Sequence, residues 1–421
     1  MTAVEGTAAT QQAADEVLAG LFFTPEGIED PYPAYRQLRE LAPVHRSGTG
    51  TVFLTRYDDC RELLRDHRFG NGGADGGIGL PSADPAVDEF RTEQRRRHAD
   101  RPPSMLFLDP PDHTRQRRLV SRAFTPRRVE QMRSTIGDLA HRCVDDLAEA
   151  GEGDLLDLVG FRLPVAVIGA MVGVPEVDWP RFRSLITRGA VGIEPTATID
   201  DLRDGEAAME ETGAYFLDLV AERRSHPQDD LLSDLIRVEE DGDQLSEAEL
   251  IVVATLLFAA GFETTTNLIG NGAAALLRHP AQMARLWDDE GLLPSAVEEM
   301  LRWDSPVQFD ARRALEPADV VGVPVEAGTT VVTLLGAANR DPAHFSDPER
   351  FDVGRDEGPP MSFASGIHHC LGANLARAEG QEVFRALRDR FRSIELAGDL
   401  VHRPRTTLRG YEAVPVRVSV R

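Results

Sequence analysis

Three groups of residues in this chain have the types and spacings that chemistry needs. The first is Cys370 in Phe363-Ala364-Ser365-Gly366-Ile367-His368-His369-Cys370-Leu371-Gly372, which follows a Pro-Pro pair and precedes an apolar-periodic segment, residues 371 to 391. A thiolate held where a glycine-bearing turn opens a helix is stabilised by the helix dipole and by N–H groups without intrahelical partners. That is a metal ligand's position. Gly366 and Gly372 would let backbone approach a flat, bulky group such as a porphyrin face without a clash. The second group is Ala259-Ala260-Gly261-Phe262-Glu263-Thr264-Thr265, in which small residues clear space while Glu263 and Thr264 set a carboxylate beside a hydroxyl, a pair able to relay protons. The third is His113 and Arg117, four residues apart on one helical face and able to grip one anionic group.

Each has a plainer reading. Most unpaired cysteines are small apolar fillers, and then the flanking glycines and histidine would lack a purpose. Zinc held by His368, His369 and Cys370 fails because adjacent residues rarely converge on one ion and no second ligand pair at zinc spacing follows. The arginines around His113, namely Arg115, Arg118, Arg122, Arg127 and Arg128, could form an ordinary solvated basic face.

The elements that must position these groups are mostly helices. Residues 29–43 read as a Pro-started helix, 44–55 as a hairpin turning at Gly-Thr-Gly, and 57–66 as helix again. A Gly/Asp/Pro-rich stretch, 70–103, reads as a long functional or disordered loop. Residues 109–124 form a capped helix carrying His113 and Arg117, and 131–237 successive amphipathic helices broken at 189–201. Ser246-Glu247-Ala248-Glu249 is a capping box. It starts a helix running to His279, roughly 50 Å long, with a kink expected at the Gly261 and threonine run. Glu299 and Arg302 share a helical face; strands are expected at 320–325, 330–334 and in pairs over 395–420.

Composition sets limits. The chain has 421 residues, 42% hydrophobic and 28% charged, with a net charge of −24 and no lysine, a bias that a GC-rich coding genome would give. Such acidity argues against nucleic acid as a partner. Three cysteines far apart do not make a disulfide scaffold. The longest apolar run, residues 251–262, is shorter than the roughly 20 residues of a membrane span. Residues 1–28 read as a flexible acidic leader without signal-peptide features, and 29–421 as one domain of a cytoplasmic, monomeric protein.

The spacing Phe-x-x-Gly-x-His-x-Cys-x-Gly, ending on Cys370, resembles the haem-thiolate signature of the soluble bacterial, actinomycete-type cytochrome P450 family, with Ala364 standing where glycine is commonest. Four further motifs follow the family's order: His113/Arg117, the Ala-Gly-x-Glu-Thr segment, Glu299-x-x-Arg302, and Pro348-Glu349-Arg350-Phe351. The resemblance implies a mainly α fold with a small β region, the family's helical prism, built around haem b with Cys370 as iron ligand. Phe363, Gly366, Gly372, Ala260 and Gly261 would then lie against the macrocycle. His113, Arg117, Arg312 (or its neighbour Arg313) and His368 would hold propionates. Glu263 and Thr264 would deliver protons to dioxygen, and Glu299, Arg302 and Arg350 would brace the core. It further implies a small, largely apolar organic substrate, a mobile lid at 189–201, and electrons from an acidic ferredoxin and an NAD(P)H-dependent reductase, docking on the basic patch near Arg115. No fused flavin or iron–sulfur fingerprint is present. Peroxide-using or rearranging chemistry, or ligand sensing, are the alternatives on the same scaffold.

Overall fold

The computed structural model describes residues 8–71, 84–240 and 242–421. Residues 1–7 of the expected leader and 72–83 of the expected loop lie outside them. The chain divides into two compact units: Met1–Ala83, Asn271–Cys370 and Leu400–Glu412 in the first; Asp84–Gly270, Leu371–Asp399 and Ala413–Arg421 in the second.

In the first unit a five-stranded sheet runs in the order Val44–Arg46, Val52–Leu54, Thr330–Thr333, Asp310–Ala314, Phe69–Gly70. Only the Val52–Leu54 and Thr330–Thr333 pair is parallel. The expected hairpin at 44–55 is its edge, turning over Gly50 at positive φ. The leader is not loose from Ala8 onward. Helix Ala8–Phe23 buries Ala14, Leu18, Leu21 and Phe22 in one cluster with Tyr35, Leu38, Phe53 and Phe309. Those apolar positions share one helical stripe, and burying it outweighs the polar composition that suggested fraying. Asp15 fixes the register by accepting from His45 Nε2 at 2.8 Å.

The second unit is mainly helical, with a three-stranded sheet, Phe391–Leu396, Pro415–Val420 and Glu152–Asp154, and a two-stranded one, Glu239–Glu240 with Asp243–Gln244. Helix Arg133–Ala150 packs along helix Ala373–Arg390; Ile136, Ala140, Val144 and Leu147 are buried on the first and Leu375, Val383 and Leu387 on the second. Part of the expected 70–103 loop is a helix, Pro85–Arg97. Asp84 accepts the Ala86 N–H at 2.9 Å, and Pro85 takes the first-turn position where its missing N–H costs nothing. The break at 189–201 is present as a 3-10 turn, Ala190–Ile193, and an irregular stretch before helix Ile199–Ser225.

The central helix is Glu247–Arg278, begun by the expected capping box: Ser246 N donates to Glu249 Oε2 at 2.8 Å and Glu249 N to Ser246 Oγ at 3.3 Å. The expected kink is absent as a break, because the helix is assigned without interruption. Thr264 and Thr266 bond back to the carbonyls of Ala260 and Phe262 at 2.7 and 3.0 Å without displacing the ladder. By length and composition this helix could cross a membrane, which the shorter apolar run did not suggest. Half of its most apolar window is buried inside the protein, and it also buries Glu263, Thr266, Asn267 and Asn271. Such side chains are expensive in lipid and suit a core helix.

Candidate functional site

Of three cysteines, Cys60 and Cys143 are buried and Cys370 is exposed. Burial pushes the Cys143 thiol up to about 11 and holds the Cys60 thiol well above its ordinary value, so neither is a thiolate near neutrality. Cys370 ends a loop built from two 3-10 turns, Met361–Phe363 and Gly366–His368, and its N–H donates to the Phe363 carbonyl at 3.0 Å. Helix Ala373–Arg390 starts slightly later than the sequence suggested, with Gly372 at its cap. Ile367 and His369 are exposed beside Cys370; Phe363 is buried and His368 half-buried.

Two backbone features tighten this loop. Gly366 has φ +73, and a Cβ there would meet the Leu64 carbonyl oxygen at 2.0 Å, so no other residue fits. Ala364 has φ +55 and ψ −158, a conformation that costs a non-glycine residue on the order of 1–3 kcal/mol. The departure of Ala364 from the glycine of the pattern therefore stores strain beside the cysteine.

A buried ion pair holds the loop from behind. Arg302 donates to Glu299 through Nε at 2.6 Å and Nη2 at 2.9 Å, both side chains at most 1% exposed. Its remaining donors meet the carbonyls of Asn339, Pro348 and Arg350 at 3.0, 2.9 and 3.2 Å. The sequence suggested the Arg350 side chain as the third member of this brace. It is exposed and pairs with Asp352 instead; Arg355 takes the role, with Nε 3.1 Å from Glu299 Oε2. Asn339 carries the connection forward, accepting the Met361 N–H at 2.6 Å and donating to Ser362 Oγ at 2.9 Å, while Ser362 donates to the Leu301 carbonyl at 2.7 Å. Asn339, Ser362 and Arg355 carried no sequence signal, since each acts through hydrogen bonds to residues far away in the chain that no local spacing announces.

Arg312 lies on strand Asp310–Ala314 at 3% exposure, its Nη1 2.6 Å from Asp310 Oδ1. Its Nη2 is buried with no hydrogen-bond partner among the described residues. A buried guanidinium with a spare donor needs an acceptor that the protein does not supply, and a carboxylate of a bound group fits it. Arg313 next to it is only half-buried.

In the second unit, His113 (2% exposed) and the half-buried Arg117 stand one turn apart on helix Asp112–Ala123. The nearby basic patch is thinner than the sequence suggested. Arg115 pairs with Asp243 and Glu249 and Arg128 with Asp234, both half-buried; Arg118, Arg122 and Arg127 are exposed. On the central helix Ala260 is exposed, Ala259, Gly261 and Thr264 are half-buried, and Glu263 is buried. Two small side chains one turn apart, Ala260 and Thr264, are thus open on a helix otherwise sunk in apolar packing, with Ile168 only 3.4 Å from the place a Cβ on Gly261 would occupy.

The first unit thus offers an exposed sulfur on a tight loop and a buried arginine with a spare donor, which suit a flat macrocycle with an anionic edge; the second unit carries an open helix face at Ala260 and Thr264. A match to the family described as Cytochrome P450 spans residues 291–402. The chain belongs to the cytochrome P450 family and is a monooxygenase of its bacterial branch, with which haem iron and the use of dioxygen come. It is 38% identical to the cytochrome P450 monooxygenase PikC of Streptomyces venezuelae, over 98% of this chain and 96% of that protein. To 6-deoxyerythronolide B hydroxylase of Saccharopolyspora erythraea it is 40% identical, over 93% and 96%. Ligand-free CYP164A2 of Mycobacterium smegmatis superimposes with a TM-score of 0.85 at 36% identity, covering 96% of this chain and 100% of that one.

Proposed function

We propose that this protein hydroxylates or epoxidises a small, largely apolar organic substrate in specialised metabolism, with residues 29–421 acting as one catalytic domain in the cytoplasm. The exposed Cys370 on its strained, braced loop is the observation that carries the reading, because its sulfur is the one thiol not silenced by burial. Haem b, when bound, would supply reductive activation of dioxygen, favoured by a thiolate ligand. Cys370 would be the iron ligand, Phe363, Gly366 and Gly372 would shape the backbone around it, and Ala260 and Gly261 would leave room for the group on the central helix. Arg312, His113, Arg117 and His368 take the propionates. The spare Nη2 of Arg312 supports its share.

Glu263 holds a proton at its carboxyl and passes it on through the Thr264 hydroxyl. In the resting arrangement that hydroxyl is occupied by the Ala260 carbonyl, so relay requires it to rotate away. Apolar side chains around the central helix, Phe258 and Phe262 among them, keep bulk water from the reacting carbon. Electrons come from an acidic ferredoxin served by an NAD(P)H-dependent reductase, drawn to Arg118, Arg122 and Arg127 on a protein of net charge −24. The substrate class rests on the names of relatives, a 6-deoxyerythronolide B hydroxylase and the polyketide biosynthesis cytochrome P450 PksS of Bacillus subtilis.

The test has two arms. Reduced, carbon-monoxide-treated protein should give the red-shifted Soret band of a thiolate ligand, and Cys370→Ser should abolish it; a band unchanged in that variant ends the assignment. With a surrogate ferredoxin and reductase, spectral-shift hits from a compound panel should yield oxygenated products by mass. Thr264→Ala should keep the band while diverting reducing equivalents to hydrogen peroxide.

A further inference from the structure

Outside the haem machinery, three metal-ligating side chains converge in the second unit. His98 caps the C-terminus of helix Pro85–Arg97, and Glu206 and Glu210 stand one turn apart on helix Ile199–Ser225. One ligand atom from each lies within 4.8 Å of the other two, and His98 Nε2 is 2.5 Å from Glu206 Oε1. Two like charges at i and i+4 repel each other and call for a cation. Arg97 meets Glu206 at 3.2 Å and Arg101 meets Glu210 at 3.3 Å, but both guanidiniums are about half exposed and can swing into solvent.

We propose that His98, Glu206 and Glu210 form a binding site for a divalent first-row transition ion, Zn²⁺ foremost. One imidazole and two carboxylates are a donor set such ions accept, with water completing the shell. Rotation of these partly exposed side chains would bring the three donor atoms to about 2 Å from a common point. The ion would tie together two segments about a hundred residues apart. Around the same contact they share a small apolar cluster, Val87, Phe90, Val191, Ala197, Ile199 and Leu202, and the Arg91 donor to the Glu194 carbonyl at 2.8 Å. Helix Pro85–Arg97 is thereby clasped to the stretch around 190–210, and metal tightens the clasp.

The experiment is a calorimetric and thermal-melting titration of tag-free, haem-loaded, chelator-stripped protein with Zn²⁺ and, separately, Mn²⁺. The expected result is saturable binding of one Zn²⁺ with a rise in melting temperature, weakened at least about tenfold in His98→Ala and in Glu206→Gln. The double variant Arg97→Ala/Arg101→Ala should bind Zn²⁺ several-fold more tightly, because the competing cations are gone. Absence of saturable binding, equal affinity in His98→Ala, or no tightening in the double arginine variant would each overturn the proposal.

Discussion

Two glutamates, one in each compact unit, are equally hidden from water and yet live opposite electrostatic lives. Glu299 is 1% exposed and receives three hydrogen bonds from Arg302 and Arg355 as well as the Asp352 N–H at 2.7 Å. Glu379, on helix Ala373–Arg390, is also 1% exposed, but its Oε2 has no partner among the described residues, and burial holds its carboxyl well above the usual range. The difference teaches that depth alone does not decide whether a buried acid is charged; the neighbours do. Asp304 shows the charged outcome. Burial alone would raise it, yet Arg409 and His402 outweigh that and hold it far below an ordinary carboxylate.

Breaking the paired glutamate should do the most damage. Glu299→Ala leaves the Arg302 guanidinium buried without its counter-charge, which costs about 3–5 kcal/mol and should loosen the cysteine loop through Asn339 and Ser362. Urea unfolding and haem-loss rate measure it; a loss under about 1 kcal/mol would mean the pair contributes as an exposed one does.

The unpaired glutamate should respond with the opposite sign. Its folded carboxyl binds a proton more tightly than the unfolded one, so the stability it contributes is present at acid pH and is lost as pH rises through its raised value. Glu379→Gln removes that loss. The variant should melt higher than the parent at about pH 8, by the equivalent of about 1.4 kcal/mol or more, with the gap narrowing toward about pH 5. A gap independent of pH would show that the carboxyl is ionised in the fold.

A smaller test separates brace from strain. Ala364→Gly relieves the positive φ and should stabilise the protein by up to about 1 kcal/mol, less whatever the more flexible unfolded chain recovers. Equilibrium unfolding reads the change, and destabilisation would mean the Ala364 methyl packs more than it strains. Smallest of all, Arg101→Ala removes an exposed partner of Glu210 and should change stability by no more than about 0.5 kcal/mol, a figure that added salt should reduce further.

Much of the site was legible because its residues lie close together in sequence. Cys370 with Gly366, Glu263 with Thr264, and His113 with Arg117 are each separated by four positions or fewer, so helical or turn periodicity alone places them. Arg355 in the brace could not be read that way. Arg350 sits in the more conspicuous sequence context, and only the folded chain shows that its side chain turns to Asp352 while Arg355 reaches Glu299. Glu299–Arg302 itself was legible as a pair but not as a buried one, and burial changes it from a contribution of tenths of a kcal/mol to several. Helix Pro85–Arg97 could have been found from Asp84-Pro85, a capping signal obscured by the glycine-rich run before it.

The sequence by itself determined the chemistry on offer: a cysteine in a tight loop, an acid–alcohol pair on a long helix, and helices as the main material, since all of these depend on neighbours within a few residues. Tertiary structure decided which guanidinium completes the brace, which carboxyl is paired and which is stranded, that Ala364 is strained, and that residues 8–23 are anchored. Those outcomes depend on what distant segments bring to within 3 Å of one another, and on how much water they exclude in doing so.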